Sequence, residues 1–384
     1  MSLQTVFGQP STRIATGEVE AWVTALGGHV GPITFRHGDR NICPMHVAPW
    51  ADESWAATAV EDLEAPQPLR GLTASMKSLR GDFFCMPFGG NGVPFEGEQY
   101  PLHGETANRV WNLLDGDDNS ARFAFDARVR AGRVEKEIRL VPGHLVVYSR
   151  HTISAMSGPM TIAHHAMLRC QTRGLVSVAP FQFGITFPDD FESPLGGGYS
   201  ALAAGATFDD LARVPARDGG FADLSVYPAR CGYEDFVAMY AAADVRLGWS
   251  AVVFPEEGYV WFTLKDARVL TGTAFWLSNG GRHYHPWNGR HVNCLGIEEL
   301  ISSPATGLAD SIGQNPAAQA GCRTHLVLDP DVPTVVNTLF GIAPIPAGFD
   351  HVATIDATSS GIRLTSRSGA VTEAAVDLGH LALD

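Results

Sequence analysis

The sequence predicts an all-β protein, a large antiparallel β-sandwich, and three observations carry that expectation. Apolar residues alternate with period two between tight turns over residues 121–153. Glycine (41) and proline (24) punctuate the 384 residues, and segments with a helical period are scarce. Successive side chains on a strand point to opposite faces, so such alternation buries one face of an antiparallel sheet.

Taken in order, residues 17–48 give short apolar runs separated by Gly27-Gly28, Gly31-Pro32 and His37-Gly38-Asp39, the spacing of strand, turn and strand. Residues 49–70, with Asp52, Glu53, Glu61, Asp62 and Glu64, read as an acidic surface excursion. In the 121–153 meander, Phe123, Phe125 and Ala127 share one parity before a turn at Ala131-Gly132. Val134, Ile138 and Leu140 follow, and Pro142-Gly143 turns the chain again before Val147. More short strands surround His164-His165, and 189–222 is loop-like around Gly196-Gly197-Gly198. Strand texture returns at 237–240, 249–254, 259–264 and 273–277. A short helix is expected at 316–321 and a strand at 325–328, while 334–339 fits either class. The tail alternates at 352–355, 362–365 and 376–381. It is too small for a core of its own, so 346–384 should add a β-ribbon to the main sheet of a single 1–384 domain.

The formal charge of −14 and pI near 5.4 argue against nucleic-acid and anionic-membrane partners, because a negative field repels phosphate. Cys43, Cys85, Cys170, Cys231, Cys294 and Cys322 are scattered without a Cys-x-x-Cys pair, which reads as reduced thiols. Met1 to Pro10 holds neither a basic nor an apolar run, and no stretch of about 18 uncharged apolar residues occurs. A cytoplasmic location is the expectation. Oligomeric state leaves no trace in the sequence.

The stretch 80–111 has the texture of a site. It contains Arg80-Gly81-Asp82-Phe83, Pro87-Phe88-Gly89, Pro101-Leu102-His103-Gly104 and Asn108-Arg109-Val110-Trp111. Aromatic faces beside planar polar donors suit a small polyhydroxylated ligand. In this order and spacing the pieces resemble the signature of the aldose 1-epimerases, the galactose-mutarotase-like superfamily, and are especially similar to its hexose-6-phosphate mutarotase branch. The resemblance implies a two-sheet supersandwich and a small sugar as partner. It carries sugar contacts onto Arg80, His103 and Arg109.

Mutarotation opens a cyclic hemiacetal and recloses it on the other face. It needs one base, one acid and no cofactor. The acid candidates are His164 and His165, in Ile162-Ala163-His164-His165-Ala166, and the resemblance favours His165. Adjacent strand residues face opposite ways, so one of the two is expected to point into the site. The base candidates are Glu298 and Glu299, where apolar flanks would raise a carboxyl pKa. The resemblance favours Glu298. A second carboxylate that holds sugar hydroxyls in the family is assigned to Asp223, with Asp210 and Asp218 as rivals.

Residues 276–291 cluster Trp276, Asn279, Arg282, His283, His285, Trp287, Arg290 and His291. In one reading they line the sugar cleft, with Trp276 and His283 touching the sugar and Arg282 and Arg290 able to clamp a phosphate. In the other, His283-x-His285 with His291 opens a metal site of the kind used by cupin-type sugar isomerases, although no glutamate follows at cupin spacing. A non-catalytic sugar-binding protein on the same scaffold is the remaining rival.

Overall fold

The computed structural model describes residues 3–56 and 72–383, so residues 57–70 of the acidic excursion lie outside the described residues. Among the described residues, two large antiparallel sheets of twelve and nine strands dominate. Through the middle of the larger sheet run Val30–His37, Asp82–Cys85, Ile162–Arg169, Cys294–Ile301, Gly272–Asn279, Tyr233–Ala241 and Phe181–Thr186, each bonded to the next. The smaller sheet contains the expected meander as Ser120–Ala127, Gly132–Leu140 and Val146–Ser154. The ambiguous 334–339 run becomes the strand Thr334–Pro344 beside it. Among the described residues, helix is confined to short turns such as Gly104–Asn108 and Pro316–Gln319.

The two sheets face one another across an apolar core that includes Phe84, Ala166, Phe275 and Ile297 from the larger sheet. Phe125, Val134, Ile138 and Trp261 oppose them from the smaller. The other face of the larger sheet carries a second cluster, with Phe83, Ala163, Met167, Trp276 and Leu300 lying beneath loops that contribute Trp50 and Trp287. The parity switch between Phe83 and Phe84 is the strand period at work.

The tail departs from the expectation. Among the described residues, Val352–Thr358, Gly361–Ser366 and Val371–Ala375 pair only with one another, as a separate three-stranded sheet, and Leu378–Leu381 is a 3-10 turn rather than a strand. The physical reason is on the outer face of the nine-stranded sheet. Its apolar Val146, Trp249, Phe262 and Leu339 are covered by Val352, Ile355, Ile362 and Leu364 instead of facing water. The ribbon stacks on the sandwich and does not extend it.

Glu299 points into the sandwich interior. It accepts hydrogen bonds from the Ser250 and Thr273 hydroxyls (2.7 Å each) and pairs with Lys265, both partners being 2% exposed. Without Glu299 the buried Lys265 ammonium would keep the Gly272 carbonyl and the Thr273 hydroxyl but lose its counter-ion. Glu299→Ala is therefore expected to cost about 3–5 kcal/mol in chemical denaturation. A loss within experimental error would contradict this account of the interior.

Candidate functional site

A cleft of about 220 Å³ opens on the covered face of the larger sheet. Its polar lining consists of Ser75, His103, His165, Arg282 and Glu298, set among the rings of Phe187, Phe191, Phe236, Trp276 and Trp287.

Two strands build the floor. Ile162–Arg169 and Cys294–Ile301 pair antiparallel, with His165 opposite Glu298 and His164 opposite Glu299. His165 and Glu298 face the cleft, where His165 Nε2 lies 3.1 Å from Glu298 Oε1. His164 and Glu299 face inward, and His164 Nδ1 meets Asp82 Oδ2 at 3.0 Å. The doubled histidine and the doubled acid are thus each divided between the two faces of one sheet.

Burial governs the electrostatics of the pair. It pushes the Glu298 carboxyl well above its ordinary value. It pushes the His165 imidazole well below, with His103 adding in the same direction. Glu298 Oε2 and His165 Nδ1 have no hydrogen-bond partner among the described residues. Phe83 stacks on His165 at 4.5 Å, and His103 meets the same ring edge-on at 5.2 Å. Burial lowers the His103 pKa to about 4, with the Arg282 charge contributing.

His103 reaches the cleft because the backbone before the Gly104–Asn108 turn is left-handed, with φ of 62° at His103 itself. Gly104 follows at φ 74°, and a Cβ there would lie 2.0 Å from the Met86 carbonyl oxygen, so only glycine fits. Gly81 is equally constrained, since its Cβ would sit 1.7 Å from the Val30 carbonyl oxygen. Asn108 ties the same loop down, accepting from Ser75 N (2.9 Å) and donating to the Leu102 and Gly104 carbonyls (2.7 Å each). Most of the 80–111 motif therefore builds the frame that presents His103.

Several residues singled out in the sequence lie elsewhere. Arg80 is fully buried and outside the cleft lining. Its guanidinium donates to the carbonyls of Val6 (2.7 Å), Phe7 (2.9 Å) and Ser78 (3.2 Å). Arg109 pairs with Glu105 at 3.0 Å, whose carboxylate also accepts the backbone N–H groups of Arg128 and Val129. Asp223 is exposed and caps its own turn at Ser225, and Asp210 and Asp218 cap turns in the same way. His283 is exposed against Tyr199 and His285 lies beside Trp55. His283, His285 and His291 form no three-ligand group.

Arg282, named in the 276–291 cluster, lines the cleft, and the structure adds Glu234, which sequence reasoning did not single out. Arg282 lies over the Trp287 ring at 4.5 Å and donates to Glu192 at 2.6 Å. Glu234, on the strand beside Trp276, accepts from the Trp276 indole (3.0 Å) and the Ser278 hydroxyl (2.8 Å). The only sequence signal for Glu234 is an acid pair, Glu234-Asp235, at the start of an apolar strand. Its partners come from a neighbouring strand that follows some 40 residues later.

No family model and no curated protein matches the sequence. Solved structures do match. A crystal structure of a candidate aldose 1-epimerase from Escherichia coli K12 aligns with TM-score 0.58 and 13% identity, over 87% of this chain and 99% of that one. A galactose mutarotase related enzyme from Lactobacillus acidophilus gives 0.54 and 9%, over 86% and 97%. A galactose mutarotase-like protein from Lactobacillus casei gives 0.53 and 10%, over 86% and 99%. The all-β fold is that of the galactose-mutarotase-like proteins.

Burial pushes the Glu234 carboxyl up to about 7, against the opposing pull of Arg282. The fold thus favours the protonated form. That contribution is complete below the unfolded carboxyl range and is lost as pH rises through about 7. Thermal melts are expected to show native protein losing on the order of 2–3 kcal/mol relative to Glu234→Gln between about pH 5 and pH 8. Parallel pH profiles for the two proteins would refute the assignment.

Proposed function

We propose that the chain is a mutarotase, an aldose 1-epimerase that opens the ring of a neutral aldose and recloses it on the opposite face. The observation that supports this best is the imidazole nitrogen and carboxylate oxygen 3.1 Å apart on the floor of an aromatic cleft. Ring opening needs a base on the anomeric hydroxyl and an acid on the ring oxygen. Both oxygens hang from one carbon, so two neighbouring groups reach them together. In this reading Glu298 takes the hydroxyl proton while His165 gives one to the ring oxygen. After rotation about the C1–C2 bond the roles reverse.

Burial favours a protonated carboxyl and a neutral imidazole at rest. One proton passing along the contact converts this into carboxylate and imidazolium, and either form holds one acid and one base. The two unpartnered atoms, Glu298 Oε2 and His165 Nδ1, are costly at about 1–3 kcal/mol each, and sugar hydroxyls would satisfy them. Neutral His103 is close enough to orient a hydroxyl of the same sugar. No cofactor is required by this chemistry.

The arginines favour an unphosphorylated substrate. Arg282 and Arg290 are held by Glu192 and Glu53, Arg109 by Glu105, and Arg80 by backbone carbonyls. The rings of Trp276, Trp287 and the three phenylalanines match the apolar face of a pyranose instead. The six cysteines are free thiols, in keeping with a cytoplasmic setting. No helix among the described residues is long and apolar enough to cross a membrane.

Exchange-transfer NMR on neutral aldoses is expected to show faster anomer interconversion with native protein. Glu298→Gln should lower that rate about 10²–10⁴-fold while sugar binding persists. An unchanged rate in the variant would discard the assignment. Saturable binding without acceleration by the native chain would leave the sugar-binding-protein reading in its place.

A further inference from the structure

Behind the cleft wall lies a second buried group of donors with no role in ring opening. His46, His291 and Cys294 bring one ligand atom each to within 4.8 Å of one another, and their exposures are 7%, 1% and 0%. Three elements supply them. His46 belongs to a segment bridged to the neighbouring strands through Met45 and Val47, Cys294 begins the Glu298 strand, and His291 ends the loop before it.

The hydrogen bonds around His291 prepare it as a ligand. The Ser278 hydroxyl has one hydrogen, which it donates to Glu234 Oε1 at 2.8 Å. Ser278 Oγ also lies 2.6 Å from His291 Nδ1, so Nδ1 is engaged in the network while Nε2 is left without a partner among the described residues. This carboxylate–hydroxyl–imidazole chain is the outer-shell arrangement that orients histidine towards a metal. The Nε2 of His291 and both ring nitrogens of His46 lack any partner among the described residues, although both rings are more than nine-tenths buried. Leaving buried nitrogens open is costly; His29 and His151 carry open nitrogens too, and what sets His46 and His291 apart is the three-donor group they form with Cys294.

We propose that His46, His291 and Cys294 form a buried zinc-binding site with three protein ligands. Two imidazoles and a thiolate are borderline-soft donors that suit zinc, and no oxygen ligand of the kind calcium or magnesium needs belongs to the group. Tetrahedral coordination at about 2.0–2.3 Å requires donor separations of roughly 3.3–3.7 Å, so modest side-chain rotation closes the group around the ion. Binding displaces the thiol proton to solvent and leaves one coordination position for water. The site would act on the cleft indirectly. His291 stacks on Trp276 at 5.2 Å with an interplanar angle of 18°, so fixing the imidazole fixes the aromatic wall of the cleft.

Purified protein dialysed against zinc and then against buffer is expected to retain about one zinc per chain by elemental analysis. Competition with a chromophoric chelator should show His46→Gln and Cys294→Ser weakening the affinity at least about 100-fold. Ser278→Ala, which removes only the orienting hydroxyl, should weaken it about 10–100-fold. Cobalt(II) substituted for zinc should give a thiolate charge-transfer band that Cys294→Ser abolishes. Circular dichroism checks that each variant is folded, and Ser278→Ala keeps the test decisive if the ligand variants are not. Retention of less than about a tenth of an equivalent, or the same affinity in folded Cys294→Ser or Ser278→Ala as in native protein, would overturn the site.

Discussion

The register between two antiparallel strands is the constraint on which the rest of the molecule depends. Pairing His165 with Glu298 across Ile162–Arg169 and Cys294–Ile301 simultaneously pairs His164 with Glu299. The strand period then sends one acid–imidazole set to the cleft and the other residues to the interior. A slip of one residue would exchange the two sets, directing Glu299 away from Lys265 and Glu298 into the core. The polar partners oppose that slip more than the apolar flanks do: Ile297 and Leu295 on the core face and Cys294 and Leu300 on the cleft face would exchange one apolar cluster for another, whereas Glu299 would lose Lys265, Ser250 and Thr273.

The two carboxylates meet opposite treatment. Glu299 is compensated by an ammonium and two hydroxyls, an arrangement that serves folding. Glu298 has one imidazole contact and an open oxygen, and burial alone drives its carboxyl towards the protonated form. An uncompensated acid in a dry, aromatic setting works against stability, and such groups are characteristic of functional sites. Glu234 carries a milder version of the same tension two strands away, where the Arg282 charge and hydrogen bonds from Ser278 and Trp276 partly offset the desolvation.

Much of this was legible in the sequence, and the limits have physical causes. Alternation and turn residues located the meander and most strands, because a half-buried sheet imposes period two directly. The tail's packing is not legible in this way, since alternation reveals a strand but not whether it joins a sheet edge or covers a face. His103, His165 and Glu298 could be named from motif order. The choices between His164 and His165, and between Glu298 and Glu299, were open because both faces of the central sheet are buried and periodicity does not distinguish them. Arg80, Arg109, Asp223 and His283 fell outside the cleft because residue type does not report side-chain direction. Arg80 is consumed by backbone carbonyls, and Asp223 by its own turn. Glu234, Ser278, His291 and His46 acquire their relationship only when four separated segments fold together.

If His165 and Glu298 act as one proton-handling unit, removing the second member after the first has no further effect. The direct measurement is the rate of anomer exchange by NMR in His165→Gln, Glu298→Gln and the double variant, each checked for folding. The account predicts three rates reduced to the same low level. Losses that multiply in the double variant, or a rate in either single variant equal to that of native protein, would contradict it.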